Sequence, residues 1–521
     1  MLLQPLRNSR VTRAQKAYTV AIPPPTGGWD AVSPLAEMKP DRAIVLDNWI
    51  PRPGYCEVRR GFTAHATGMG TGVVDSLMAY HALTSAGNKL FSAANNKIYE
   101  STSAGAASAA QTSLTNNRWQ HVNFTTAGGK YLVTANGADS VRNFDGTNWS
   151  TPTISGVTSS NLINVNAHAG RLWFVEKDTT KAWYLATGAI SGTATSIQLG
   201  ENFTKGGFLV AMGTMTRDGG SGGDDLACFI SSQGQVAVYA GTDPSDSQLW
   251  NLQGVYDLAP PIGYRCFRKI GADLALINID GLIPVSAALG LDQNAQKRVA
   301  LSANINDAIN NAARNYKANF GWQLCAYPKG TIAILNIPVT EGSLQYQYVM
   351  NTLTGAWCRF TGINANCWEV FNDSIYFGGN AGKSFKFDTG GYDNAVAIDA
   401  VGKTAYNYMN KKGIDKLFLM LQPLLTVDSS QRPALGVSTD FKDNAELGTP
   451  SAVTIASAVY DSALYDTAVY AIENRAVTDW TAVSGVGHCA AVHFRSTKNT
   501  ASESTIQLNG FNLLYQPGGP M

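Results

Sequence analysis

The chain has 521 residues, room for roughly two to four domains at about 150 residues each. Charged residues make up 15% and the net charge is +1, against the ~25% charged of an average soluble chain, which excludes a general polyanion binder. Glycine is abundant at 51 residues and aromatics reach 10%, as suits a β-rich chain whose surface is partly covered by partners.

Residues 1–22 carry Arg7, Arg10, Arg13 and Lys16, with no acid before Asp30. This basic stretch reads as a solvated tail or a docking arm. No aromatic is interleaved among its cations, which argues against nucleic-acid binding by the arm itself. Pro23, Pro24 and Pro25 form a stiff spacer. In the next stretch, prolines 34, 40 and 51 cut the chain into short pieces. Asp41–Trp49 is expected as a short helix after Pro40, and Tyr55–Phe62 alternates like a strand.

From about residue 73 to 390 the pattern is strand, turn, strand. The clearest unit runs from Trp119 to Ser150, with strands at Gln120–Thr125, Lys130–Ala135 and Val141–Phe144. Gly128-Gly129, Asn136-Gly137 and Asp145-Gly146 break it, and such pairs accept the positive φ of tight hairpins. A unit this small has too few strands to stand alone. Others surround it: Ser76–Ser101 before it, then Asn161–Leu185, Phe208–Trp250, Tyr264–Val285, Asn319–Thr361 and Cys367–Asp388. The spacing of about 25 to 50 residues is near that of propeller repeats. Radial repetition leaves few open sheet edges, so the chain is expected to be all-β, with a β-propeller of about six to eight blades. Because the unit 367–388 shows only three strands, Tyr55–Phe62, or else a strand near 396–408, is expected to complete the last blade.

One helix interrupts this pattern, Ala303–Tyr316, with Ser302 as its expected cap and Ile305, Ile309, Ala312, Ala313 and Tyr316 on one stripe. Beyond Gly390-Gly391 the alternating runs lengthen: Asp415–Val427, Ala434–Phe441, Trp480–Gly485, Cys489–Arg495 and Ile506–Tyr515. They predict a C-terminal β-sandwich of about 125 residues. Tyr460, Tyr465 and Tyr470 stand five apart, a period of neither strand nor helix. The expected division is therefore 1–62 as arm and docking segment, 63–390 as propeller body and 391–521 as sandwich.

Three phrases carry a family resemblance: PLAEMKPDRAIVLDNWIPRPGYCEVRRGF (34–62), ANFGWQLCAYPKGTIAILNIPV (318–339) and QYVMNTLTGAWCRFTGINANCWEVFNDSIYFGGNAG (347–382). They resemble a tail protein of short-tailed bacteriophages, the podoviruses, of the tail nozzle or hub type (tail tubular protein B-like, packaged-DNA stabilisation-type). The resemblance implies a virion structural protein assembled in the bacterial host cytoplasm into a homo-oligomeric, hexameric ring. Such a ring extends the portal–adaptor channel, retains packaged DNA, conducts it without sequence specificity at ejection, and anchors fibres or spikes.

Residue chemistry points the same way. Gly219–Asp225 is glycine-rich but lacks the Gly-Lys-Ser/Thr ending of a phosphate loop. Phe144–Trp149, FDGTNW, is similar to a sialidase Asp-box but lacks the residue between Asp and Gly. Asp243 and Asp246 read as capped turns rather than calcium ligands. His488 and His493, placed on one strand, would face opposite sides. Glu57, Glu176, Glu341 and Glu369 read as surface charges. Seven scattered cysteines, Cys56, Cys228, Cys266, Cys325, Cys358, Cys367 and Cys489, are expected as buried free thiols. The apolar window 416–427 is too short for the ~20 residues of a membrane helix. No catalytic, cofactor-binding or metal-binding residue is assigned, and the chain reads as a structural protein rather than an enzyme. The alternative is a glycan-binding or glycan-hydrolysing propeller on the virion surface.

Overall fold

The computed structural model describes residues 16–218, 223–427, 431–442, 447, 450–452, 475–499 and 504–520. Most of them are strands, arranged as propeller-like blades beside one larger sheet system. Residues 1–15 of the basic arm, the tip 219–222 and the three tyrosines Tyr460, Tyr465 and Tyr470 lie outside the described residues.

Five small antiparallel sheets follow one another along the chain. Four have four strands and the fifth has three. In the second, Gln120–Thr126, Gly129–Ala135, Arg142–Phe144 and Trp149–Ser150 pair in sequence order. This is the unit expected from the turn residues, with Trp149–Ser150 added as an outer strand. Asp145 explains the tight return: its Oδ1 accepts the amides of Thr147 (2.8 Å) and Asn148 (2.7 Å), an Asx turn built by one short side chain. FDGTNW is thus the turn between two outer strands.

Two further meanders belong to a fifteen-stranded sheet. The first is Gln323–Tyr327, Ile332–Thr340, Leu344–Asn351 and Trp357–Phe360. The second is Cys367–Phe371, Ser374–Gly378 and Ser384–Phe387, and its fourth strand comes from far upstream, Phe62–Thr67. The closing strand is therefore one element later than Tyr55–Phe62, with Phe62 the residue in common. Tyr55–Val58 instead pairs with Trp49–Arg52 and touches Gln507 and Leu508. Val396–Thr404 pairs with Arg42–Asp47 and Ala490–Lys498. The reason is steric and local. Gly61 lies so close to Tyr392 that a Cβ there would meet its carbonyl oxygen at 1.9 Å, and this close crossing turns the chain from one sheet into the next.

The first strands of successive meanders lie side by side in a ring: Val74–Tyr80, Gln120–Thr126, Leu162–His168, Leu209–Asp218, Phe267–Ile270, Gln323–Tyr327 and Cys367–Phe371, the last returning to the first. Apolar cores fill the spaces between neighbouring sheets. One holds Phe229, Trp173 and Trp250, with Trp173 and Trp250 stacked at 5.4 Å.

The N-terminal segment is not an isolated arm. Arg42–Asp47 is a strand, not a helix. Ile44, Val45 and Leu46 include two β-branched residues that favour extended backbone. Tyr18–Ile22 pairs with Ile506–Pro520, which also pairs with Ile414–Val427 and Tyr55–Val58. The C-terminal strands thus share both of their sheets with the N-terminal strands. Trp49 meets Phe494 at 5.4 Å and Phe494 meets Phe511 at 5.3 Å, so one apolar core joins residues from both chain ends. The proline-broken segment 23–54, which the sequence left without a core, has Ala43, Leu46, Trp49 and Ile50 buried in this one. The apolar window 416–427 is part of the strand Ile414–Val427. Among the described residues no helix is long and apolar enough to cross a membrane.

The expected helix begins with a 3-10 turn at Ala303–Ile305 and continues as Asn306–Tyr316. Ser302 does not cap it. Its Oγ donates to Asn306 Oδ1 at 2.6 Å and accepts from Leu282 N at 2.9 Å, so it ties the helix start to the edge strand of the three-stranded sheet. Ile305, Ile309, Ala312 and Ala313 pack against Leu335 and Trp322. A second helix, Gln293–Val299, is capped by Asp292, whose side chain accepts from Asn294 N and Ala295 N, a good cap followed by polar residues with no apolar stripe.

Candidate functional site

The ring of first strands encloses a cavity of ≈ 540 Å³. All the first strands run the same way, so the cavity has a starting end and a finishing end. At the starting end it is blocked. Arg265, in the loop ahead of Phe267–Ile270, crosses to the far side of the ring. There it donates to Asp75 O (3.0 Å), Ser76 Oγ (2.6 Å) and Trp119 O (2.9 Å). Phe320 lies between two guanidinium groups, 4.9 Å from Arg265 and 4.3 Å from Arg118, a stabilising cation–π arrangement. Glu341 pairs with Arg118 and accepts Phe320 N at 3.0 Å.

The finishing end is open. A wider mouth of ≈ 840 Å³ is lined by His81, Asn88, Arg268, Lys269, Glu369 and Asp373 among others. Four of these, His81, Arg268, Lys269 and Glu369, also line the inner cavity, so the two spaces form one funnel. Glu369 is the deepest charged group, 5% exposed. Its Oε1 accepts the amide of the next residue, Val370, at 3.1 Å. His121 Nε2 stands 3.5 Å from its Oε2, and Arg268 Nη2 stands 3.9 Å from its Oε1. The Glu369 charge raises the pKa of Arg268, while burial lowers that of Arg265. On the opposite wall, Lys269 Nζ donates to Thr216 Oγ1 (3.0 Å), which donates to Asp225 Oδ1 (2.7 Å).

The other charged residues singled out from sequence sit elsewhere. Glu57 accepts from Arg52 Nε at 2.7 Å and Glu176 from Trp183 Nε1 at 2.9 Å. Asp243 accepts from Ser245 and pairs with Arg171 at 3.1 Å, and Asp246 accepts Gln248 N. His488 sits in a bend rather than on a strand, with Nδ1 3.1 Å from Asp415, while His493 lies on Ala490–Lys498 beside Ser438. Glu369 departs from its expected place at the surface. On the strand Cys367–Phe371 it shares a face with Cys367 and Phe371, and that strand is the innermost of its meander. The signal available in the sequence was a polar residue inside the first strand of a unit: His121 in QHVNF, Arg268 in FRKI, Gln323 in QLCAY and Glu369 in CWEVF.

All seven cysteines are free and buried. Burial pushes the Cys228, Cys266, Cys325 and Cys367 thiols up to about 12. They remain protonated and unreactive at neutral pH. Among the described residues no three His, Cys, Asp or Glu side chains gather as a metal site.

Three histidines set a pH dependence. Burial lowers the pKa of His65, His121 and His168 below the ordinary imidazole value, against the opposing pull of carbonyls or of Glu369. A folded-state pKa below the unfolded value of about 6.5 means that the unfolded chain binds more protons in acid. The stabilising contribution is complete above about pH 6.5 and is lost as pH falls through the folded values. The melting temperature is expected to drop from about pH 7.5 to about pH 5.5. A His65→Gln/His168→Gln chain should lose part of that slope in the same buffers. An equal slope in both proteins would assign the acid sensitivity to other groups.

No protein-family profile and no curated protein matches the chain. Solved structures similar to it include BBS1N in complex with ARL6DN, at 11% identity and a TM-score of 0.39, covering 63% of this chain and 97% of that one. Raptor from Chaetomium thermophilum aligns at 10% identity and a TM-score of 0.39, over 68% of this chain and 30% of that one. The extracellular domain of a one-component system from B. thetaiotaomicron aligns at 9% identity and a TM-score of 0.40, over 79% and 57%. The architecture described above rests on its own strand pairing, not on these distant likenesses.

Proposed function

We propose that the chain is a structural, non-enzymatic subunit of a podovirus tail. Six copies would form a nozzle or hub ring that extends the portal–adaptor channel, retains packaged DNA, conducts it at ejection and anchors fibres or spikes on the virion. We read the body as seven blades closed by Phe62–Thr67, and the second unit as a two-sheet sandwich built from both chain ends.

The observation that carries this reading is where the three family-like phrases lie. Residues 34–62 are far in sequence from 318–339 and 347–382 but meet them in one seam. Asp47 is bidentate with Arg359 at 2.8 and 2.6 Å. Asn48 exchanges hydrogen bonds with Thr361, and Asn351 Nδ2 donates to Pro51 O at 2.7 Å. Deeper in, Asn336 accepts from Trp368 Nε1 (3.1 Å) and Gln347 Nε2 (3.0 Å), and donates to Gly321 O and Ala365 O. Gln347 Oε1 is left without a partner, but the rest of this buried polar network ties its elements into one packing. The seam residues of these phrases are thus scaffold, as a tail ring requires, while Gln323, Leu324 and Glu369 within them line the cavity. The Arg265 crossing at one end of the propeller axis fits the same picture. DNA would follow the axis between subunits, not the hole within one.

The test mixes purified protein with tail-less, DNA-filled podovirus heads. Ala43, Leu46, Trp49 and Ile50 are core residues, so removing residues 1–54 would unfold the chain rather than isolate the arm. The truncation to use is residues 1–15. Full-length protein is expected to join the heads and retain their DNA, while the truncated chain keeps its melting temperature and joins poorly. Normal joining by the truncated chain removes the docking role of the arm. A full-length protein that never joins removes the tail assignment.

A further inference from the structure

The blind funnel has a feature that a purely structural axis does not need. Its deepest carboxylate and its nearest guanidinium face each other without bonding. Glu369 is 5% exposed, yet its hydrogen bond comes from its own neighbour, Val370. Arg268 stands 3.9 Å away, and its guanidinium makes no hydrogen bond among the described residues. Glu369 is buried while the Arg268 side chain is 42% exposed, so the guanidinium keeps access to solvent instead of closing on the carboxylate to the about 2.7–2.9 Å of a direct charged contact. Here the pair is held apart by strands on different blades, and His121 at 3.5 Å stands off in the same way. Lys269 spends one of its three donors on Thr216. The funnel therefore presents an acceptor at its floor, unspent donors beside it and above it, and an open mouth.

Charge selects among ligands. Arg265 is committed to carbonyls and a hydroxyl at the closed end, which leaves Arg268 and Lys269 against Glu369 and Asp225. A phosphate or sulfate would have to approach buried Glu369, and an ammonium would have to pass Arg268 and Lys269. A hydroxyl both donates and accepts, so one hydroxyl can donate to Glu369 while it accepts from Arg268. Several such groups on one small body fit a space of ≈ 540 Å³, within the ~300–1,000 Å³ usual for small-molecule sites. Phe267, half-buried on the same wall, offers apolar surface to the C–H face of a sugar ring.

We infer that this funnel is a binding site for a neutral saccharide, gripped through its hydroxyls by Glu369, His121, Arg268 and Lys269. The site goes beyond the tail reading and does not depend on it. The ligand is either a free small sugar or the end of a surface polysaccharide, because the cavity is closed at one end and cannot be threaded.

Calorimetric titration of the full chain with a panel of neutral mono- to tetrasaccharides and neutral bacterial polysaccharides tests this. Binding of at least one panel member is expected, weakened about ten-fold or more by Glu369→Gln and more mildly by Lys269→Ala. Lys269 is exposed, so K269A should leave the melting temperature unchanged. If E369Q does not fold, Arg268→Gln and K269A carry the test together. Binding of polysaccharide but not of small sugars assigns the polymer end as ligand, and the reverse assigns the free sugar. No binding of any member at about 10 mM overturns the proposal, as does unchanged binding by the folded variants or binding of sulfated sugars alone. The same preparations mixed with heads keep the two readings apart, since a variant that joins heads normally but binds no sugar affects only this inference.

Discussion

Replacing Asp393 by alanine is expected to destabilise the protein by about 3–5 kcal/mol, the usual cost of leaving one partner of a buried ion pair alone. Arg59 has a fully buried side chain and Asp393 is 6% exposed. The guanidinium satisfies all five of its donors. Nε reaches Asn48 Oδ1 at 2.8 Å, Nη1 reaches Arg60 O and Asp393 Oδ1, and Nη2 reaches Thr361 O and Asp393 Oδ2. Those partners come from the N-terminal strands, from the loop after Trp357–Phe360 and from the strand that follows the last meander. One residue thus bolts together the place where the propeller-like body meets the second sheet system. Asp393→Asn should do nearly as much damage, because it keeps the shape but not the charge. The double variant Arg59→Met/Asp393→Leu should recover much of the loss, since no charge is then left buried. The urea midpoint of each variant reads these effects. A D393A midpoint within about 1 kcal/mol of the parent would mean that water reaches the guanidinium and that the bolt is not one.

Phe62→Ala is expected to cost a similar ~3–5 kcal/mol. Phe62 is 8% exposed and packs edge-on against Phe377 (5.0 Å) and Phe385 (5.3 Å). Its strand, Phe62–Thr67, is the fourth strand of the last meander. Removing residues 62–67 goes further, because it leaves Ser384–Phe387 as an open edge. The expected outcome is loss of cooperative melting of residues 62–387 as a unit, together with concentration-dependent aggregation. If the deletion melts at the parent temperature, the ring does not depend on its closing strand.

The repeated units could be read because their information is local. Asn-Gly, Asp-Gly and Gly-Gly pairs enforce hairpins whatever surrounds them, and strands paired to sequence neighbours follow directly. The errors fall where pairing is long-range. Arg42–Asp47 follows a proline and could have started a helix; pairing with Val396–Thr404 and Trp357–Phe360, more than 300 residues away, fixes it as a strand. The C-terminal strands looked self-sufficient because alternation says which face is apolar but not which chain end supplies the facing layer. Glu369 shows the same limit at the site. A glutamate on an alternating strand reads as solvent-facing, and only the circular order of the sheets turns that face toward the axis.

The closing strand also sets a timetable. Phe62–Thr67 leaves the ribosome early, but its partner Ser384–Phe387 follows only ~320 residues later, roughly 16–64 s at 5–20 residues per second. Trp49–Arg52 and Tyr55–Val58 wait longer still, for Ile506–Pro520 at the far end of the chain. During synthesis the early strands are unpaired, and neither the ring nor the second sheet system can be completed until their late partner strands have been made. A nascent chain stalled before residue 384 would present an open series of blades whose unpaired edges favour misassociation. Completion waits for these late strands, and the slowest step of folding should be the docking of the N-terminal sixty residues.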